Sequence, residues 1–308
     1  MYKYIFRRIL YLIPVILGVT FIVFMILNLA PGDSVRMILG EQATPEQVAA
    51  LEKKMGLDKP LLVQYLNYMK NLLRGNLGVS YRTNQPVAAE VFSRFPYTLI
   101  LSLVATAFSV LLAIPIGVIA ATKQNTAMDT ATMIVALIGV SMPMFWLSLL
   151  LILLFSLKLG WFPVSGAKTI SSIVLPAFAL GFMNMALVAR TTRSSMLETI
   201  RQDYMRTALS KGLSRKKAVM KHALKNALIP TITVVGLQIG NLLGGAVLAE
   251  TVFAWPGIGR LMVQSITSRD VPMVLGCIII FTISISVVNL IVDILYGFID
   301  PRIRSMYS

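Results

Sequence analysis

The chain has 308 residues, 56% of them hydrophobic and only 13% charged, with a formal net charge of +15. A soluble globular chain carries roughly 25% charged residues, so the composition excludes an ordinary water-soluble domain. The excess of lysine and arginine would fit nucleic acid on a soluble protein. Set between apolar blocks it reads as orientation charge for membrane spans, and no nucleic-acid partner is expected.

An apolar run over residues 9–29 follows Lys3, Arg7 and Arg8. At about 20 residues it has the length of a span rather than of a signal-peptide core, and no clear small-x-small cleavage site follows it. A retained first span is predicted, with its N-terminus held in the cytoplasm by the basic flank. The polar stretch 31–96 is expected outside and should hold two helices. Thr44, Pro45 and Gln47 fit a capping box with proline at the first helical position, and that helix should end at Met55 before Gly56. The next starts after Pro60. Leu62, Leu66, Met69 and Leu73 recur at helical spacing there and predict an apolar face, which packs on the outer ends of the spans or, as the alternative, docks a partner.

The second span is predicted over 98–121 and the third over 130–157, with Pro143 as a kink. Lys123 lies inside between them, and Trp161 marks the outer interface after span three. Spans four, five and six follow at 173–189, 230–252 and 274–295. The fold class is therefore an all-α polytopic membrane protein with six transmembrane helices, both termini cytoplasmic and an extracytoplasmic region between spans one and two. The predicted organisation is 1–30 for the N-terminal segment and first span, 31–96 for the extracytoplasmic region, and 97–308 for a five-span core.

Within the core, residues 190–228 form the longest basic segment. Ten lysines and arginines between Arg190 and Lys225 face only Glu198 and Asp203, which places the segment in the cytoplasm. It reads as helix, glycine turn at Gly212, and helix, with no breaker before about Ser210 and with Ser214 as N-cap of the second helix. Lys217, Lys221 and Lys225 form a basic row, and Val219, Ala223 and Ala227 an apolar one. The basic row alone could sit on membrane lipid headgroups, at about 1 kcal/mol per cation. Tyr204, Ala208 and Gly212 form a second stripe, large then small then small, that permits close approach of another protein surface.

The stretch DYMRTALSKGLS, followed by KHALKNALIP, resembles the cytoplasmic signature of binding-protein-dependent ABC importer permeases. The general family form is Glu-Ala-Ala, three residues, Gly. Here Arg206-Thr207-Ala208 precedes Gly212, so only the last Ala and the Gly match, and the run to Ile229-Pro230 is longer. Both departures resemble the peptide and nickel subfamily. Pro31-Gly32-Asp33, Gly160-Trp161-Phe162-Pro163, Arg193-Ser194-Ser195-Met196, Trp255-Pro256-Gly257 and Asp300-Pro301-Arg302 agree with it, so the resemblance covers essentially the whole chain. It is most similar to the first permease subunit of dipeptide, oligopeptide or glutathione importers.

The resemblance implies a type I ABC importer permease in the bacterial cytoplasmic membrane. Its implied partners are a homologous second permease subunit, two ATP-binding subunits and an extracytoplasmic substrate-binding protein that delivers a peptide substrate. ATP and Mg belong to the partner ATPases, because the chain has no Walker A pattern, and no cofactor or catalytic residue is expected in it. The implied ATPase-coupling residues are Tyr204, Ala208 and Gly212 with Asp203, Arg206, Thr207 and Lys211 around them. Asn184, Gln238 and Asn241 are polar at membrane depth and are candidates for either a substrate path or helix–helix hydrogen bonds. Gly240, Gly244 and Gly245 predict close packing in span five. Lone Cys277 and lone His222 offer neither a disulfide framework nor metal-ligand spacing. A nickel importer of the same family is the alternative, and an ion-coupled secondary transporter is a more distant one, since neither an internal repeat nor an acid at mid-span is present.

Overall fold

The structure, a computed structural model, describes residues 2–29, 34–40 and 42–299. Pro31-Gly32-Asp33 and the tail from Asp300 lie outside the described residues, as do the side chains of Lys3, Arg7 and Arg8. The helices are α1 (Tyr2–Leu29), α2 (Ser34–Leu39), α3 (Pro45–Met55), α4 (Leu61–Leu72), α5 (Val87–Thr122), α6 (Ala127–Ser141) and α7 (Met144–Leu151). After them come α8 (Val174–Ile200), α9 (Asp203–Ser210), α10 (Arg215–Ala218), α11 (Leu224–Val252), α12 (Ile258–Thr267) and α13 (Val271–Ile299). Among the described residues five helices or helical runs are long and apolar enough to cross a membrane, and the bent pair α6 and α7, counted as one span, makes a sixth. The all-α, six-span expectation agrees with this.

The third span departs from a simple kink. The helices on either side of the break are bent by 107°. Met142 is extended at φ −83°, ψ 129°, and Pro143 follows at φ −59°, ψ 134°. A proline pushes the residue before it out of the helical region and removes its own N–H, so two successive extended residues turn the chain. The Pro143 carbonyl then accepts from Trp146 and Leu147 and starts α7 afresh. Span five shows the opposite correction. Its helix does not begin at Pro230 but runs from Arg215 to Val252 through a π-helical turn at Val219–Ala223, with Pro230 inside. Membrane helices tolerate an interior proline where neighbours satisfy the freed backbone groups.

The chain forms two compact units. Unit one comprises residues 1–98 and 256–286. Helix α3 follows the sequence closely. Thr44 and Gln47 make the full capping box, Pro45 is the first residue of α3, and Gly56 closes it in the left-handed region at φ +71°. Phe24 of α1, Tyr65 and Met69 of α4, and Val271 and Leu275 of α13 share one apolar cluster. Asp270, 2% exposed, accepts from the Ser80 hydroxyl, from the Tyr81 amide at 3.1 Å and from the Met273 amide at 3.4 Å. It thereby caps α13 and pins the turn before α5.

The predicted apolar face of α4 is corrected. Leu61, Tyr65, Tyr68, Met69 and Leu72 pack inward, whereas Leu62, Leu66 and Leu73 are 57%, 57% and 90% exposed. The apolar arc of this helix is wider than one packing face, and the hydroxyl of Tyr65 decides which part turns inward.

Unit two comprises residues 99–255 and 287–308. Its core lies where α5, α7, α8 and α11 meet, around Leu101, Ala105, Leu147, Leu180, Leu242 and Ala246. Gly181 lets α8 approach α5 closely: a Cβ there would lie 2.4 Å from the Ala105 carbonyl oxygen.

Candidate functional site

The basic segment begins as an extension of span four, because α8 continues unbroken to Ile200. The first break falls at Arg201 and Gln202, earlier than the sequence predicts. No glycine or proline marks it. Gln202 takes an extended conformation and its carbonyl accepts from the Met205 amide at 3.0 Å, while Asp203 opens α9. Burial of Met205, 3% exposed, against Met196, Ala218, Val219 and Ala223 turns α9 onto the unit.

The second break is the predicted glycine turn. Gly212 sits at φ +86°, its N–H donates to Leu209 at 2.9 Å, and the Leu213 N–H donates to Ala208 at 3.2 Å. This pair of bonds is a Schellman motif, which favours glycine at its left-handed position. Ser214 occupies the N-cap of α10, but its carbonyl rather than its side chain makes the closing bond, to Ala218 at 2.9 Å. In the helix that follows, Lys217, Lys221 and Lys225 are exposed and Val219, Ala223 and Ala227 buried, as the two predicted rows require.

The coupling candidates are only partly brought together. Tyr204 is 39% exposed, and Asp203, Arg206, Thr207, Lys211 and Gly212 are exposed. Ala208 is partly buried and packs against the Met205 cluster. Its small size is thus used at least in part within the chain. The Arg206–Asp203 pair, 3.9 Å apart, has side chains 83% and 97% exposed, so solvent leaves it little energetic weight. The Thr207 hydroxyl donates to the Asp203 carbonyl at 3.1 Å.

Sequence reasoning missed the clasp behind this element. Arg193 Nε and Nη2 donate to Asp129 Oδ1 and Oδ2 at 2.8 and 2.7 Å. The Asn125 amide adds a third bond to the same carboxylate at 3.1 Å. Arg201 donates to Gln124 at 3.3 Å, so the turn between α5 and α6 is tied twice to the extension of α8. One signal was legible: Asp129 is the only acid between Glu90 and Glu198, and a lone acid in an apolar stretch demands a partner.

Of the polar residues at depth, two meet. Gln238, buried, donates to the Asn184 carbonyl at 3.2 Å, and Asn184 donates to Leu180 at 3.1 Å. Nearby Thr192 and Thr231, both fully buried, share a hydrogen bond of 3.3 Å between α8 and α11. Asn241 stands apart, on an exposed face of α11 with Leu237, Gly244 and Leu248. The glycines of α11 divide similarly: Gly245 faces Leu180 of α8, while Gly244 faces open space.

Unit one holds a cavity of about 520 Å³ lined by Lys54, Asn67, Tyr68, Asn71 and Tyr81, among others. The Tyr68 hydroxyl is buried and has no hydrogen-bond partner among the described residues. Burial, and then the Asp270 carboxylate, push the Tyr81 phenol up to about 12, so it stays protonated near neutrality. Among the described residues no three His, Cys, Asp or Glu side chains gather as a metal site.

Residues 113–305 match the family described as binding-protein-dependent transport system inner membrane component, and residues 1–104 match its N-terminal counterpart. The chain is 44% identical to the dipeptide transport system permease protein DppB of Alkalihalophilus pseudofirmus, with 99% of this chain and 100% of that one aligned. It is 45% identical to the di/tripeptide transport system permease protein DppB of Pseudomonas aeruginosa over 99% of each. It is 41% identical to the glutathione transport system permease protein GsiC of Escherichia coli, again over 99% of each. Among solved structures, the MetNI methionine ABC transporter in an inward-facing conformation aligns with TM-score 0.59 and 17% identity, over 68% of this chain and 96% of that one. An amino acid ABC transporter structure aligns with TM-score 0.54 and 16% identity, over 68% and 94%. The fold is therefore that of ABC importer permeases, and the chain belongs to the family of binding-protein-dependent transport system inner membrane components, as a multi-pass permease subunit.

Proposed function

We propose that this chain is the permease subunit of an ATP-driven importer that carries short peptides, glutathione included, into the cytoplasm. The observation that carries the reading is full-length identity of 41–45% to dipeptide, di/tripeptide and glutathione permeases. The basic segment is its cytoplasmic coupling element, and both chain termini share that side of the membrane. Two ATP-binding subunits hold ATP and Mg and hydrolyse the nucleotide. A homologous second permease and an extracytoplasmic binding protein complete the assembly.

The geometry supports these roles. α9 is a short, rigidly terminated helix carried on the end of a span, with Tyr204 free to enter a partner's cleft. The clasp of Arg193 on Asp129 makes α8 and the start of α6 respond together when α9 is pushed. Nucleotide binding in the partners then shifts the population between inward- and outward-open states. The exposed face of α11 places Asn241 among apolar residues at span depth. Such an amide is costly against lipid, which supports contact with the second permease or with the substrate path. Gln238, which ties α11 to α8, and Asn184, which bonds within α8, serve packing first.

The test is reconstitution of the complex with its binding protein in lipid vesicles. ATP-dependent uptake of labelled dipeptides or glutathione is expected. Uptake of nickel without peptide, or peptide uptake driven by a proton gradient without ATP, overturns the reading.

A further inference from the structure

We propose that α4, within the region 31–96, is immersed along one face in the bilayer beside α1, reaching toward its midplane. Its leucine face contacts lipid acyl chains, and Lys70 and Arg74 at the border of that face extend their cations toward the headgroups.

Three observations meet on this helix. The first is depth. The Tyr65 hydroxyl donates to the Leu17 carbonyl at 2.8 Å and lies 3.1 Å from the Thr20 hydroxyl. Its ring packs edge-on against Phe21 at 5.2 Å. The span in α1 runs from Leu10 to Leu29, and a helix rises about 1.5 Å per residue, so Leu17 lies roughly 18 Å from the Leu29 end. The hydrocarbon core is about 30 Å thick. A helix bonded to α1 at that level cannot stand clear of the bilayer.

The second is the exposed arc. Leu62, Leu66 and Leu73 recur at i, i+4 and i+11 and are 57%, 57% and 90% exposed, beside inward-packed Tyr65 and Met69. α1 shows the same character alongside, with Leu17, Phe21 and Ile22 at 44%, 38% and 58%. The third is charge. From Leu61 to Arg74 there is no acid, and Lys70 and Arg74 follow Leu66 by four and eight residues, bordering the leucine row. Their long stems can lie along apolar surface while the cations reach phosphate. The remaining side carries Asn67 and Asn71, both exposed, at the rim of the cavity in unit one. Packed face, lipid face, cationic border and wet face thus follow one another around the helix.

Single cysteines test this directly in the full-length chain, assembled with its partners in nanodiscs containing phosphatidylglycerol. Leu62→Cys, Leu66→Cys, Leu73→Cys, Asn67→Cys and Asn71→Cys are spin-labelled, with buried Cys277 retained. Labels at the three leucine positions should collide with oxygen more than with a water-soluble nickel chelate, and those at the two asparagines should show the reverse. The double change of Lys70→Glu with Arg74→Glu should move the Leu66 label toward water. Nickel-chelate access at Leu66 and Leu73 would overturn the proposal. Low access to both reagents there would also overturn it, because a protein partner would then cover the face. The inference rests on the membrane placement and not on the substrate, so a failed peptide-uptake assay leaves it standing.

Discussion

The pair of Arg193 and Asp129 is the most direct place to challenge the structure. Both carboxylate oxygens accept from one guanidinium, at 2.8 and 2.7 Å, with side chains 28% and 8% exposed. Hydrogen bonds to charged groups contribute about 1.5–3 kcal/mol each, and the partial exposure of Arg193 lowers that figure. A coupling energy of about 2 kcal/mol is expected between the two residues. The perturbation is a double-mutant cycle of Asp129→Asn, Arg193→Gln and the double variant, read by unfolding of the purified complex in mixed detergent micelles. Each single change should destabilise by about 2 kcal/mol, and the double variant should cost much less than their sum. Because the clasp ties α8 to α6 just before α9, substrate-stimulated ATP hydrolysis should also fall in Asp129→Asn. A coupling energy below about 0.5 kcal/mol, the usual scatter of additivity, would refute the clasp.

Other outcomes follow from single contacts. Gly181→Ala must move the α5 and α8 backbones apart, because its Cβ would meet the Ala105 oxygen at 2.4 Å. Overpacking of this kind costs about 1–3 kcal/mol, measurable as a lowered unfolding midpoint. Gly212→Ala forces a side chain into φ +86° and should cost about 1–2 kcal/mol, whereas Tyr204→Ala, at an exposed position, should leave stability unchanged and still abolish stimulated ATP hydrolysis. Unchanged stimulation in Tyr204→Ala would remove that residue from the coupling surface. Asp270→Ala strands the Ser80 hydroxyl and two amides, and a loss of about 2 kcal/mol or more is expected, with faster amide exchange at Ser80–Tyr81 as the readout.

Much of the molecule was legible because its signals are local. Span length and apolarity fall within one stretch of chain, as do the Thr44 capping box and the glycine turn at Gly212, where a single left-handed residue is required. The alternation of Lys217, Lys221 and Lys225 with Val219, Ala223 and Ala227 needed only helical periodicity. The resemblance carried by Ala208, Gly212 and the longer run to Pro230 pointed to the family.

Tertiary structure decided what local rules leave degenerate. Pro143 allows a kink or a full break, and packing selected a turn of 107°, whereas Pro230, of the same residue type, stays inside a continuous helix. The break at Gln202 has no local breaker and follows from burying Met205. On α4 the apolar arc was readable, but which part faces protein depends on the Tyr65 hydroxyl finding Leu17 in another helix. Asp129 and Arg193 lie 64 residues apart, and Ser80 and Asp270 lie 190 apart. Periodicity and caps act within a few residues, whereas charge pairing and side-chain packing depend on distance in space, which the folded chain alone sets.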